Sequence, residues 1–269
     1  MLALSNYPSY DLNEVPRNDA ELLNELTRNR LVCDIYEPGS TFKIITSAAN
    51  IEEHLQANPK AFSTSYIFPS SRTRSVDSTT VKCWSNHANG KHSNQTLAEA
   101  LNNSCNPCFT DIAMALGKET FYEYLAKFGF GKKTGIDYGG EAYGLLLPEE
   151  VVRGCDLARI GFGQTIAVSG IQLACATASA VNGGYYYTPR LVKRIYAEDG
   201  YTLKNNQPVL QNRTISEQAS KTLASMLEGV VRDGSGKKAY IEGYRVAGKT
   251  GDILTTCVNL VKNLIKIYT

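Results

Sequence analysis

Apolar residues recur at helical spacing in several separate stretches of the chain. This periodicity predicts a strongly amphipathic helix over residues 216–232, with further helices at 109–116 and 119–128. Small apolar residues predict two more helices, at 40–49 and 169–182, the first beginning close to Ser40. A Thr96-x-x-Glu99 capping box, a motif that starts helices, adds a helix at 96–101.

Stretches that favour strands are fewer and shorter. They lie at 1–8, at 185–195 and at 244–250. Residues 61–95 are rich in Ser, Thr, Asn and Gly, which predicts a long surface excursion with short strands. The tail beyond residue 252 has apolar residues at helical spacing and predicts a short amphipathic helix. No linker separates two autonomous domains.

Composition and charge exclude several classes of protein. Of 269 residues, 43% are hydrophobic and 20% are charged, as in folded globular proteins. The 28 basic residues nearly balance the 26 acidic ones, which argues against a dedicated nucleic-acid binder. No apolar run approaches the roughly 20 residues of a membrane span. The first residues lack the charged and apolar regions of a signal peptide.

Ser40-x-x-Lys43 is the first candidate for chemistry. On a helix, residues i and i+3 share a face, so the Lys43 amine can reach the Ser40 hydroxyl. A serine is a weak nucleophile unless a base takes its proton, and a desolvated lysine can be that base. An isolated match of this kind is usually a serine beside a solvated lysine, so the motif needs support from elsewhere in the chain.

Two further motifs supply that support. Ser104-Cys105-Asn106 falls in a break between two predicted helices, and Lys249-Thr250-Gly251 ends a predicted strand. The trio is typical of penicillin-binding proteins and serine β-lactamases. A second Lys-Thr-Gly, at 133–135, lies in a glycine-rich stretch without a preceding strand, and we assign it a structural role in a turn.

Cysteines and histidines do not predict a metal site. The seven cysteines are loosely spaced, and Cys105-x-x-Cys108 has no second pair near it. The three histidines, which are His54, His87 and His92, form no known ligand motif, so we expect solvated or capping side chains. No cofactor is predicted.

Longer segments extend the resemblance to a family. The segments YEPGSTFK, LNNSCNPCF, FGFGKKTGID and IGFGQTIAVSGIQLACATASAVNGG resemble the transpeptidase domain of class B penicillin-binding proteins, and the similarity covers residues 2–251. Lys82-Cys83-Trp84 and residues 104–107 are most similar to the sporulation-specific branch of that family. The resemblance implies a β-lactamase/transpeptidase-like α+β fold, an antiparallel sheet flanked by helices.

The resemblance also implies a role for each motif residue. Ser40 would be acylated by the penultimate D-alanine of a peptidoglycan stem peptide, Lys43 would take its proton, and Ser104 would relay a proton to the leaving D-alanine. The stem peptide would be bound by four residues, which are Asn106, Lys249, Thr250 and Gly251. The backbone N–H groups of Ser40 and Asp252 would form the oxyanion hole.

The same resemblance implies partners and a location. Stem peptides and β-lactam antibiotics would be ligands, and a glycosyltransferase of the cell-wall machinery would be a partner. The full-length parent would lie at the extracytoplasmic face of the bacterial membrane, although this chain shows no anchor or signal.

The chain departs from the family pattern at its end. Asp252 stands where the family has Thr or Ser, and its carboxylate would repel that of the substrate. Residues 252–269 resemble nothing in the family, so we expect a partial transpeptidase domain at 1–251 and a tail of the kind a truncated or frameshifted gene produces. We therefore expect an incomplete sheet, an unpaired strand at 244–250 and an inactive or unstable chain.

Two questions stay open at the level of sequence. Cys105 lies inside the proposed site, and a disulfide with Cys83 competes with a buried free thiol as its state. Functionally, a serine β-lactamase or D-alanine carboxypeptidase shares the motifs, and a non-catalytic or β-lactam-binding remnant is a third possibility.

Overall fold

A computed structural model describes residues 3–69, 72–85 and 92–251, together with the backbone of 263–268. The α-helices are, in chain order, α1 (Ala20–Thr27), α2 (Arg30–Cys33), α3 (Lys43–Leu55), α4 (Leu97–Asn103), α5 (Asn106–Leu116), α6 (Lys118–Lys127), α7 (Gly154–Ile160), α8 (Gly170–Val181) and α9 (Glu217–Arg232). Within these residues no helix is long and apolar enough to cross a membrane.

The strands are short and pair antiparallel. The pairs are β1 (Ile35–Tyr36) with β4 (Val168–Ser169), β2 (Thr73–Val76) with β3 (Thr79–Lys82), β5 (Tyr185–Tyr187) with β8 (Leu210–Arg213), β6 (Arg194–Tyr196) with β7 (Thr202–Asn205), and β9 (Val246–Gly251) with β10 (Asn263–Tyr268). In the described part of the chain each sheet is two-stranded. These antiparallel sheets stand among the helices given above, and the predicted α+β class is confirmed.

Helix α3 is the centre of the fold. It continues from a 3₁₀ turn at Gly39–Phe42, and each of its residues from Lys43 to Glu52 is buried. A helix that is buried all round must be covered on every side, and α5, α6, α8 and α9 pack against it. The small residues of the predicted helix, such as Ala48 and Ala49, let these neighbours approach.

Helix α9 closes the core over α3. The Ser216 side chain caps its first turn by accepting from the Ala219 N–H at 3.2 Å. The same serine donates from its backbone and its hydroxyl to Glu52 of α3, at 2.8 and 2.6 Å. Leu223 and Leu227 are fully buried on the face toward the core, as the amphipathic pattern predicted.

The break between α4 and α5 has a clear local cause. The predicted capping box at Thr96 and Glu99 starts α4. Ser104 ends it in the left-handed conformation, with φ 54°, which few residues other than glycine adopt. Cys105 then takes the N-cap position of α5 without a side-chain capping bond, and Pro107 occupies the first turn, where a missing N–H costs little.

The strand predicted at 1–8 is wrong over its described residues. Residues 3–8 are not a strand, because the side chain of Asn6 ties them to the segment before α2. Its amide donates to the Arg28 carbonyl at 3.0 Å, and its oxygen accepts from the Arg30 N–H at 3.0 Å.

The helix predicted in the tail is wrong over residues 263–268, and the rest of that prediction lies outside the described residues. Residues 263–268 form β10, which pairs with the whole of β9 from Asn263 opposite Gly251 to Tyr268 opposite Val246. A strand edge such as that of β9 exposes backbone N–H and C=O groups, and a segment that contains β-branched residues can pair with them. The prediction that this strand lacks a neighbour is therefore wrong on the edge that β10 occupies. The domain boundary at residue 251 stays a prediction.

Shortening Leu223, one of the two buried leucines named for α9, tests the packing of this core. We expect Leu223→Ala to lower the free energy of unfolding by about 2–5 kcal/mol, since it leaves a cavity. Ser225→Ala, at an exposed position of the same helix, should change it by less than about 0.5 kcal/mol. Chemical denaturation of both variants measures the difference, and equal effects would contradict the packing described for α9.

Candidate active site

The turn that carries Ser40 is fixed by backbone contacts. The Gly39 N–H donates to the Gly163 carbonyl at 2.9 Å. Gly163, with φ 84°, approaches Gly39 so closely that a Cβ there would collide with the Gly39 carbonyl. The hydroxyl of Thr41 donates to the Pro38 carbonyl at 2.6 Å, which completes the turn. Ser40 thus stands on a rigid corner ahead of α3.

Lys43 lies at the centre of the site. Its Nζ is 2.9 Å from the Ser40 Oγ and 3.0 Å from the Ser104 Oγ. It also reaches the Ser104 carbonyl at 2.8 Å and the Asn106 Oδ1 at 2.7 Å. The structure therefore brings together four of the predicted residues, two from the Ser40 turn and the start of α3 and two from the junction between α4 and α5.

Burial sets the protonation state of this amine. Lys43 is fully buried, and desolvation lowers its pKa to about 7. A neutral amine has two N–H bonds and one lone pair. The Ser104 carbonyl and the Asn106 Oδ1 can only accept, so they take the two N–H bonds, and the lone pair faces the hydroxyls of Ser40 and Ser104. A lone pair in that position can accept a hydroxyl proton.

The orientation of Asn106 follows from its second contact. Its amide nitrogen donates to the Lys82 carbonyl at the end of β3, at 3.2 Å. That bond turns the Asn106 oxygen toward Lys43. In its left-handed conformation, Ser104 directs both its carbonyl and its hydroxyl toward the Lys43 amine. Backbone strain at Ser104 therefore coincides with the site.

Strand β9 forms the opposite side of the site. Lys249 is fully buried and donates to the Thr250 carbonyl at 3.1 Å. The Thr250 hydroxyl lies 2.9 Å from that of Ser235. Gly251 has no room for a side chain, since a Cβ would come within 2.8 Å of Thr41. Close packing of Gly251 on the Ser40 turn therefore joins the third motif to the first.

The second Lys-Thr-Gly is structural, as predicted. Thr134 is buried, and both its N–H and its hydroxyl donate to Glu141, the N–H at 2.6 Å. The Lys133 amine lies over the ring of Tyr143, at 4.8 Å. This turn contributes nothing to the cleft around Ser40.

A cleft of about 400 Å³ opens over these groups. Five predicted residues line it, which are Ser40, Ser104, Asn106, Thr250 and Gly251. Four other side chains at its wall were not among the predicted site residues, namely Trp84, Phe162, Gln164 and Ser235. Phe162 and Gln164 stand in the quoted segment IGFGQ, which was a usable signal, whereas Ser235 belongs to no motif. The side chains of Lys43 and Lys249 are fully buried next to these lining residues.

Two predicted residues lie outside the described part of the chain, namely Asp252 and His87. Cys83 and Cys105 form no disulfide. The expectation of a solvated or capping side chain is wrong for His92, which is buried against the Cys83 sulfur. The fold brings Cys83, His92 and Cys105 together, and no sequence motif indicated that cluster.

Known proteins resemble the chain over most of its length. The family model for the penicillin-binding protein transpeptidase domain matches residues 1–253. Stage V sporulation protein D of Bacillus subtilis is 42% identical over 93% of the chain, and PbpB of Mycolicibacterium smegmatis is 31% identical over 93%. The chain spans 37% and 38% of the lengths of these two relatives.

Solved structures have the same fold. Penicillin-binding protein 3 of Mycobacterium tuberculosis, complexed with aztreonam, is 28% identical, with a TM-score of 0.77 over 88% of this chain and 52% of its own. The D,D-transpeptidase domain of a peptidoglycan glycosyltransferase from Eggerthella lenta is 25% identical, with a TM-score of 0.80 over 92% of this chain and 62% of its own. With the family model matching nearly the whole chain, this protein belongs to the penicillin-binding protein transpeptidase family.

Proposed function

We propose that this chain carries the acyl-transfer site of a peptidoglycan D,D-transpeptidase, which cross-links stem peptides through an acyl-serine intermediate. The observation that carries the proposal is the buried Lys43 amine, 2.9 Å from the Ser40 hydroxyl at the edge of an open cleft. Relatives named peptidoglycan D,D-transpeptidase support the reaction class.

In the first half-reaction Ser40 attacks the carbonyl carbon of the penultimate D-alanine. Neutral Lys43 takes the hydroxyl proton as the bond forms. Ser104, 3.0 Å from Lys43, passes a proton to the departing nitrogen, and terminal D-alanine leaves as the free amino acid. The acyl group stays on Ser40 as an ester.

The substrate is held on both sides of Ser40. We assign Asn106 to the peptide amide and Lys249, Thr250 and Gly251 to the terminal carboxylate, which charge-assisted donors recognise. The hydroxyl of Ser235, paired with that of Thr250, adds a donor at the same end. The backbone N–H of Ser40 contributes to the oxyanion hole, and that of Asp252 remains the predicted second donor.

The second half-reaction transfers the acyl group to an amine. An amino group of a neighbouring stem peptide attacks the ester, forms the new amide and returns the proton to Ser40. A β-lactam acylates Ser40 in the same way, and penicillin-binding protein 3 of Mycobacterium tuberculosis has been solved in complex with aztreonam and with ampicillin. For the full-length parent we propose an extracytoplasmic location and a glycosyltransferase partner.

Replacing the proposed nucleophile tests the assignment. We expect a fluorescent penicillin to label the full chain covalently and Ser40→Ala to abolish the label, since the attacking oxygen is gone. Labelling is read on a denaturing gel, with circular dichroism as the folding control. Signal that survives in Ser40→Ala excludes this nucleophile, and rapid turnover of a chromogenic cephalosporin identifies a hydrolase instead.

The pKa of Lys43 predicts a pH dependence. Below about 7 the amine is protonated and cannot accept the Ser40 proton, so the acylation rate should fall about tenfold per pH unit. Above that pH the rate should level off. Stopped-flow acylation by a chromogenic β-lactam measures the profile, and a rate that is flat across pH 7 would contradict Lys43 as the base.

The two Lys-Thr-Gly sequences provide a matched pair of variants. Lys249→Met removes the proposed partner of the substrate carboxylate and should slow acylation by about 10²-fold or more. Lys133→Met removes the same charge from the structural turn and should leave the rate unchanged. Thermal unfolding of both variants checks the fold, and equal rates in folded variants would refute the role given to Lys249.

A further inference from the structure

Three buried metal-ligating side chains meet beside the cleft. Cys83 follows β3, Cys105 takes the N-cap position of α5, and His92 lies on the segment between them. Their ligand atoms all lie within 4.8 Å of one another, and Cys83 Sγ is 3.3 Å from His92 Nδ1. Thiolates and imidazole on a shared tetrahedral zinc ion, with bonds of about 2.0–2.3 Å, stand at separations of this size.

A fourth sulfur lies next to the cluster. Cys108, in the first turn of α5, is buried three residues along the chain from Cys105. The Gln95 amide donates to the Cys108 sulfur at 3.7 Å and to the His92 carbonyl at 3.0 Å. In metal sites, N–H donors that surround the ligands form hydrogen bonds to zinc-bound thiolates in the same way. Cys83, His92 and Cys105 lie together, and their neighbour Cys108 would complete the donors of a Cys₃His site.

We propose that Zn²⁺ binds Cys83, His92 and Cys105 and draws in Cys108 as its fourth ligand, which makes a closed structural site. Each of the three thiols loses its proton to solvent on binding, and neutral His92 contributes Nδ1, so the complex carries a net charge of −1. Four protein ligands leave no open position, which is typical of structural rather than catalytic zinc.

The site would hold the second motif in place. Cys105 lies between Ser104 and Asn106, both of which contact Lys43. Trp84, next to Cys83, packs edge-on against His92 and donates to the Asn103 carbonyl at 2.9 Å. A metal ion that joins these segments therefore restrains the left-handed Ser104 and one wall of the cleft together.

Metal content of the full chain tests the proposal. We expect elemental analysis to find one tightly held zinc per chain, and Co²⁺ exchange to produce thiolate-to-metal charge-transfer absorption. Cys105→Ser and His92→Ala should lose the metal, whereas His92→Cys should keep it, because a thiolate replaces the imidazole. Cys155→Ser is the matched control, since Cys155 is a buried cysteine outside the cluster and should leave zinc unchanged.

Folding is followed in the same samples. Added Zn²⁺ should raise the melting temperature of metal-free protein and of His92→Cys, but not that of His92→Ala. Absence of zinc uptake by the reduced, folded chain would overturn the proposal, as would zinc that persists in Cys105→Ser. Loss of two reactive thiols on oxidation, without zinc uptake after reduction, would assign the cluster to a disulfide instead. Each readout is independent of acylation at Ser40.

Discussion

The burial of one amine constrains the rest of this structure. A buried amine without water is costly, so the fold surrounds the Lys43 Nζ with four oxygen atoms from three residues. The ring of Phe109, 5.3 Å from the nitrogen, closes the remaining side. These contacts require the start of α3 and the break before α5 to meet, and that meeting point is the site.

Rigid backbone contacts hold the three motifs in this arrangement. Gly163 and Gly251 allow two segments to approach the Ser40 turn more closely than a side chain would permit. Ser104 keeps a left-handed conformation that bonds within α4 and to Lys43 stabilise. The precision of the site therefore comes from packing around it, which agrees with the close fit that acyl transfer needs.

The break between α4 and α5, at Ser104 and Cys105, connects the proposed chemistry with the stability of the fold. Its residues contact Lys43 on one side and adjoin the cysteine and histidine cluster on the other. Acylation by the proposed mechanism and metal binding by the proposed cluster would thus depend on one short segment. Strand β9 is held in a similar way, by α9 on one face and by the Ser40 turn at Gly251.

The sequence alone determined what depends on near neighbours. Helical periodicity located α3 and α9, the Thr96 capping box located the start of α4, and three short motifs identified the family. Only the tertiary structure decided what depends on long-range closure. Ser235 and Trp84 reached the cleft, Cys83 met His92 and Cys105, and residues 263–268 became a strand on β9 although their local pattern favoured a helix. Local patterns report which element a segment prefers, whereas its partners are set by the free energy of burying and hydrogen-bonding segments far apart in the chain.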